Sequence, residues 1–157
     1  FEAEGAYFRE QSTKPLTLSY ALTDSPVGVA AWIVEKFHGW SDLKDGRIES
    51  VYSMDQMLTN VMIYLVSGTF ATSTWLYRGL FEDASGAPVP EKARIEKPVG
   101  IANFPVDLIP FPPRSMVERQ MNVVRWTDMG EGGHFAALEK PEKLVADIAA
   151  FARGIGF

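Results

Sequence analysis

Two histidines occur in this sequence, His38 and His134, and their surroundings differ. His134 follows Gly132-Gly133, sits directly after an apolar stretch that reads as a strand, and precedes a helical stretch. Glycines there let the backbone turn sharply and project the imidazole from the carboxyl edge of a sheet, where open α/β folds bind their ligands. The chemistry on offer is proton transfer. His38 stands at the expected end of a helix, where a contact with the last carbonyls accounts for it. A histidine that acts as a base needs a carboxylate to fix its tautomer and stabilise its charged form. Three carboxylates qualify by position. Asp107 lies in Phe104-Pro105-Val106-Asp107, on a loop after an earlier strand, and fits best. Asp128 and Glu131 are nearer in sequence and read as a strand end and a solvated loop charge. Tyr7 and Tyr77 are further candidates, although a buried phenol usually only packs and bonds a nearby backbone group. Two histidines are too few for a metal site built from several of them, and no metal or cofactor is expected.

These residues need elements to hold them. Phe1–Thr23 reads as mixed, with Lys14-Pro15 breaking any helix. Ser25-Pro26 starts a helix, with Ser as N-cap and Pro in the first turn, which is expected to run to about His38 and stop at Gly39. Its apolar residues Val29, Ala30, Trp32, Ile33, Val34 and Phe37 wrap most of the circumference, as in a helix buried on several sides. Ser41–Ser50 is polar and turn-like. Ser53-Met54-Asp55-Gln56 fits a capping box ahead of a helix through Leu65, and Gly68 separates this from a segment containing Trp75, Leu76 and Tyr77. Ser85–Pro90 reads as a loop. The pattern then changes. Arg94–Asn103 predicts a short strand, Arg114–Gln120 a helix, Asn122–Thr127 a second strand and Glu131–Phe135 a loop. Pro141 opens a last helix ending at Gly154, with Leu144, Val145, Ile148 and Phe151 on its inner face.

Strand, helix, strand, loop, helix is an α/β order with parallel strands. Two parallel strands leave both edges and both faces needing cover, so the pattern points to a larger sheet with its other strands outside this chain. No Gly-x-Ser-x-Gly segment, or its Asp counterpart, is present to supply a nucleophile. The last two members of a triad are thus represented, and the first is not.

Composition narrows the function classes. The 157 residues suffice for a core; 46% are hydrophobic and 22% charged, as in ordinary globular proteins. Net charge is −5 with no Lys/Arg cluster, which argues against a nucleic-acid or anionic-membrane surface. There is no cysteine, hence no thiolate chemistry. No apolar run reaches membrane-spanning length. A soluble chain is expected, with the cytoplasm favoured and the compartment otherwise open.

Several segments resemble the microsomal-type epoxide hydrolases. They are Thr13-Lys14-Pro15, Leu22-Thr23-Asp24-Ser25-Pro26-Val27-Gly28, the following Ala30–Phe37, Leu58-Thr59-Asn60-Val61-Met62, Phe104-Pro105-Val106-Asp107, and Gly132-Gly133-His134-Phe135-Ala136-Ala137 with Glu139 and Pro141-Glu142. The match is ordered and falls in the family's carboxy-terminal half. It implies an α/β-hydrolase core with an inserted helical lid: residues 1–90 as the lid portion, and residues 91–157 as the last strands and helices of the core. It also implies a function. An upstream aspartate, outside this chain, attacks the epoxide carbon and forms an ester. Two lid tyrosines, falling on Tyr7 and Tyr77, hold the epoxide oxygen. Water activated by His134 with Asp107 then hydrolyses the ester to a vicinal diol. The implied partners are a small-molecule epoxide and the amino-terminal half of the same enzyme. The alternatives are an esterase or haloalkane dehalogenase of the same fold, in which the tyrosines have no role, and a non-catalytic α/β-hydrolase-like binding module.

Overall fold

Caps and prolines set most of the element boundaries in this computed structural model, which describes residues 4–84 and 94–157. The loop expected over Ser85–Pro90 lies outside the described residues. Where an irregular start is expected, two helices form, α1 (Ala6–Thr13) and α2 (Pro15–Leu22). The break at Lys14-Pro15 is real. However, Pro15 occupies the first turn of α2, where its missing N–H has no intrahelical partner to lose.

Helix α3 spans Pro26–Trp40. The Ser25 hydroxyl accepts a hydrogen bond from the Gly28 N–H at 3.2 Å, as an N-cap should. The helix runs past its expected stop and includes Gly39. A Cβ there would lie 2.9 Å from a Glu4 carboxylate oxygen, the mobile end of a side chain. His38 bonds the Gly46 carbonyl through Nε2 at 3.1 Å, not the last carbonyls of its own helix. Helix α4 (Met54–Ser67) carries the complete capping box: Gln56 N–H donates to Ser53 Oγ at 3.2 Å, and Ser53 N–H donates to Gln56 Oε1 at 2.8 Å. Gly68, left-handed, closes it. Two helices follow, α5 (Phe70–Ser73) and α6 (Leu76–Ala84).

The described residues fall into two compact units. The first takes residues 4–39 and 45–84, and the second takes Trp40–Lys44 and residues 94–157. The first has an apolar core of Leu18, Val29, Val61 and Phe70, against which Leu22, Trp32, Ile33 and Leu65 pack. Each of those four buried side chains contributes about 1.5–3 kcal/mol. Polar groups inside this unit are paired: Trp32 Nε1 donates to Gln11 Oε1 at 3.2 Å, and the Ser19 and Thr74 hydroxyls bond each other at 3.0 Å.

The second unit is built on β1 (Ile95–Asn103) and β2 (Met121–Asp128), paired in parallel with Ile101 opposite Trp126 and Asn103 opposite Asp128. Between them α7 covers only Arg114–Val117, shorter than expected. No residue of either strand is buried, so this pair of strands has no apolar layer closed around it. Helix α8 (Ala136–Glu139), not anticipated from the sequence, precedes α9 (Pro141–Gly154). The inner face of α9 also differs from expectation. Val145 and Ile148 are 62% and 55% exposed, while Leu144, Asp147 and Phe151 turn inward, spaced by three and four as one helix face requires. Phe151 lies against Gly100 of β1. Asp147 is buried with Arg125 Nε and the Thr127 hydroxyl donating to it at 2.8 and 2.7 Å. A carboxylate therefore occupies a position that an apolar pattern would assign to the surface. Arg125, followed by the Thr127 donor, holds Asp147 below the usual carboxylate range in spite of its burial.

Candidate active site

The histidine loop leaves β2 at Asp128 and must reverse within a few residues before α8. Gly132 makes the turn with φ +109°, a backbone conformation open in practice only to glycine. Gly133 meets a different constraint. A Cβ on it would stand 2.6 Å from the Trp40 carbonyl oxygen and 2.9 Å from that of Val106, so only a residue without a side chain fits between those two strips of main chain. Val106 N–H donates to Gly132 O at 3.2 Å, which ties the acid loop to the histidine loop.

These constraints bring Asp107 and His134 together. His134 Nδ1 lies 2.8 Å from Asp107 Oδ1. The same oxygen accepts the Leu108 N–H at 2.6 Å, which fixes the carboxylate on its own loop. The imidazole is flanked by two aromatic rings in edge-to-face contact, Trp40 at 5.1 Å and Phe135 at 5.0 Å between centroids. Its side chain is 42% exposed and that of Asp107 44%, so the pair is open to water. With Nδ1 committed to Asp107, Nε2 is the nitrogen that can take a proton.

The competing carboxylates are engaged elsewhere. Asp128 accepts from Asn103 Nδ2 and Trp126 Nε1, both at 2.9 Å, and these donors, Asn103 foremost, hold it below the usual range. Glu131 pairs with Lys140 and Lys143, which bring it down to about 2.

Tyr7 and Tyr77 lie in the first unit, on α1 and α6. Their rings meet edge to face at 5.6 Å, with an interplanar angle of 88°. Phe8 packs edge-on against Tyr77, and Lys36 Nζ stands 5.1 Å over the Tyr7 ring. Arg78 donates to the Thr13 carbonyl at 2.9 Å and joins α6 to the end of α1. Burial, reinforced by a hydrogen bond with Tyr77, pushes the Tyr7 hydroxyl from 10.0 up to about 12. The group stays a proton donor through the whole physiological range.

Two residues beside His134 had no role assigned from the sequence: Asp42, and Glu139, which enters there only as part of the family-like segment. Asp42 Oδ2 accepts the Gly132 N–H at 2.8 Å, and Glu139 accepts from both Asp42 N–H and Phe135 N–H at 2.9 Å. Their partners are backbone amides, which leave no mark on residue types. The four-residue spacing of Phe135 and Glu139 is the local sign of one of these contacts. Among the described residues no group of three or more His, Cys, Asp or Glu is placed to hold a metal ion, and no helix is long and apolar enough to cross a membrane.

The chain is 39% identical over 153 residues to epoxide hydrolase 1 of Sus scrofa, a match covering 94% of this chain and 34% of that protein. The structure of Aspergillus niger epoxide hydrolase superposes with a TM-score of 0.79 at 35% identity, over 96% of this chain and 36% of that one. By sequence and by fold, this chain is similar to a portion of the epoxide hydrolases, which are α/β-hydrolases. The juvenile hormone epoxide hydrolase of the silkworm Bombyx mori is similar at 28% identity, with a TM-score of 0.73. No protein-family model matches. The chain spans about a third of the length of the curated epoxide hydrolases it matches. The parallel strand pair and its flanking helices are thus part of an α/β-hydrolase fold, and the helical content of the chain fits the lid-like region of those enzymes.

Proposed function

We propose that this chain provides the ester-hydrolysing pair and the oxygen-holding phenols of an epoxide hydrolase, with the nucleophilic aspartate on a preceding segment. The observation that carries this reading is the hydrogen-bonded phenol pair, Tyr7 with Tyr77. A serine esterase has no use for two neutral phenols, whereas an epoxide that opens to an alkoxide needs donors at its oxygen.

The reaction divides into two steps. A carboxylate attacks one epoxide carbon, the C–O bond breaks, and the alkoxide takes its proton from a phenol. His134 Nε2 then removes a proton from water, and the resulting hydroxide adds to the ester carbonyl. Asp107 stabilises the imidazolium that forms; collapse of the adduct releases a vicinal diol and regenerates the carboxylate, and the imidazolium proton returns through solvent to the phenolate, restoring both groups.

The test is His134→Gln in the complete enzyme. Ester formation needs no base, because the attacking carboxylate is already ionised near neutral pH. The variant is expected to react once with a small epoxide such as styrene oxide and stall, gaining one substrate mass on the segment that carries the nucleophile. A serine esterase needs its histidine for the first step as well and would give no adduct. Normal turnover by the variant would reduce His134 to a loop residue and overturn the proposal.

A further inference from the structure

The contacts around His134 contain a device that the two-step reaction does not by itself require. The histidine loop is held from behind by the short strip Trp40–Asp42, and the holding is done by main-chain groups. His134 N–H donates to Trp40 O at 3.0 Å, and Gly132 N–H donates to Asp42 Oδ2 at 2.8 Å. Glu139 then clips the two strips together. One of its oxygens accepts Asp42 N–H and the other accepts Phe135 N–H, each at 2.9 Å. Glu139 is only 8% exposed, and a buried carboxylate is tolerable only where its oxygens are satisfied in this way. The result is a closed circuit running from Glu139 to Phe135, His134, Trp40, Asp42 and back. The N–H groups of Gly132, His134 and Phe135 end on Asp42, on the Trp40 carbonyl and on Glu139 respectively.

We infer that Asp42 and Glu139 are positioning residues for His134, setting the distance and angle at which its imidazole meets Asp107. This rests on the proposed role of His134 as the base for ester hydrolysis. The imidazole is nearly half exposed, so packing alone does not fix it. Its orientation comes from the main-chain anchor at Trp40 and from the Trp40 and Phe135 rings, which stack on each other at 6.2 Å and both meet the imidazole edge to face, and the two rings belong to the two strips that Glu139 joins. Loosening the clip lets Phe135 and Trp40 move apart, and the imidazole loses its walls. Water activation is sensitive to such a shift, whereas ester formation does not involve the histidine.

That asymmetry supplies the test. In the complete enzyme, Glu139→Ala and Asp42→Ala should slow single-turnover ester hydrolysis on the order of 10- to 100-fold, the scale of a misplaced catalytic group. Ester formation should change far less, and the burst amplitude, which counts folded sites, should be retained. Asp42→Asn should recover most of the loss, since an amide oxygen still accepts the Gly132 N–H. Glu139→Gln should recover only part, because one of its two acceptors becomes a donor facing a donor. As a readout independent of turnover, the downfield proton resonance of His134 Nδ1–H bonded to Asp107 should broaden or vanish in the alanine variants and persist in Asp42→Asn. If both rates fall together with the amplitude, the residues serve stability only and the inference is wrong. It is equally wrong if ester hydrolysis and the resonance are untouched. If the wild-type enzyme forms no ester at all, the proposed reaction fails, and the resonance alone still decides whether the clip positions the imidazole.

Discussion

The unit carrying Tyr7 and Tyr77 is held by apolar side chains, and the unit carrying Asp107 and His134 is held around its site by carboxylates and backbone amides. Leu18, Val29, Val61 and Phe70 form a buried cluster in the first. In the second, neither strand buries a residue, and the buried groups include Glu139 and Asp147. Around the site itself, the difference follows the chemistry. A phenol serves as a neutral donor, which its ordinary acidity already allows near neutral pH, and partial burial of Tyr7 pushes its loss of the proton still higher. An imidazole that must meet water and change charge during a cycle cannot be buried in the same way. It is kept open to solvent and held by directional bonds instead.

The comparison can be broken most forcefully at the polar end. Asp107→Asn removes the acceptor that fixes the His134 tautomer, and the loss expected in ester hydrolysis is on the order of 10²- to 10⁴-fold. Rapid-quench measurement should show a retained burst followed by slow turnover. If Asp128→Asn produced that signature and Asp107→Asn did not, the acid would be misassigned in spite of the 2.8 Å contact.

At the apolar end, Tyr7→Phe with Tyr77→Phe removes both donors. Ester formation is then expected to slow by about 10²- to 10³-fold, with the single changes costing less because one phenol can partly replace the other. Unchanged single-turnover ester formation in the double variant would reject the pair's role.

Stability sharpens the contrast further. Arg125→Met leaves the Asp147 carboxylate buried without its principal partner. The expected cost is about 2–3 kcal/mol, below the full buried-pair figure because Arg125 is a third exposed, read as a shift in the urea midpoint. Asp147 lies below its unfolded value, so its contribution to stability is present above the carboxylate range and is lost as pH falls through the folded value. The variant's deficit should therefore shrink in acid.

The smallest effect concerns Tyr7. Folded Tyr7 keeps its proton to about 12, whereas the unfolded residue loses it near 10.0. Its contribution is complete below that lower value and disappears as pH rises across the interval. Tyr77→Phe removes the hydrogen bond but not the burial, so the tyrosinate absorbance of Tyr7 should appear at somewhat lower pH in the variant while remaining above the ordinary tyrosine value. A return to that ordinary value would mean that the hydrogen bond, and not burial, sets the phenol's state.

Much of this was legible in the residues. The Ser53–Gln56 box, the Pro141 start and the parallel pairing of two strands all follow from local chemistry, and local chemistry is what a sequence displays. The departures share another cause. Asp147 faces inward because Arg125 and Thr127 await it. Asp42 reaches Gly132 across 90 positions of chain. Each depends on a partner remote in sequence, which no periodicity announces. Helices α1 and α2 were hidden for a simpler reason: Pro15 reads as a breaker unless its place in the first turn is known.

The crowding at Gly133 sets a rule for laboratory evolution of this loop. A methyl group there would meet three main-chain atoms, of Trp40, Val106 and Asp42, and no rotamer change at a neighbouring side chain relieves that overlap. By contrast, nothing stands within 4 Å of a Cβ placed on Gly130. A library randomised from 130 to 133 and selected for new substrates should diversify freely at its first position and return glycine at its last, whatever substrate is chosen. The loop's evolvability would thus be concentrated at one end of a four-residue window.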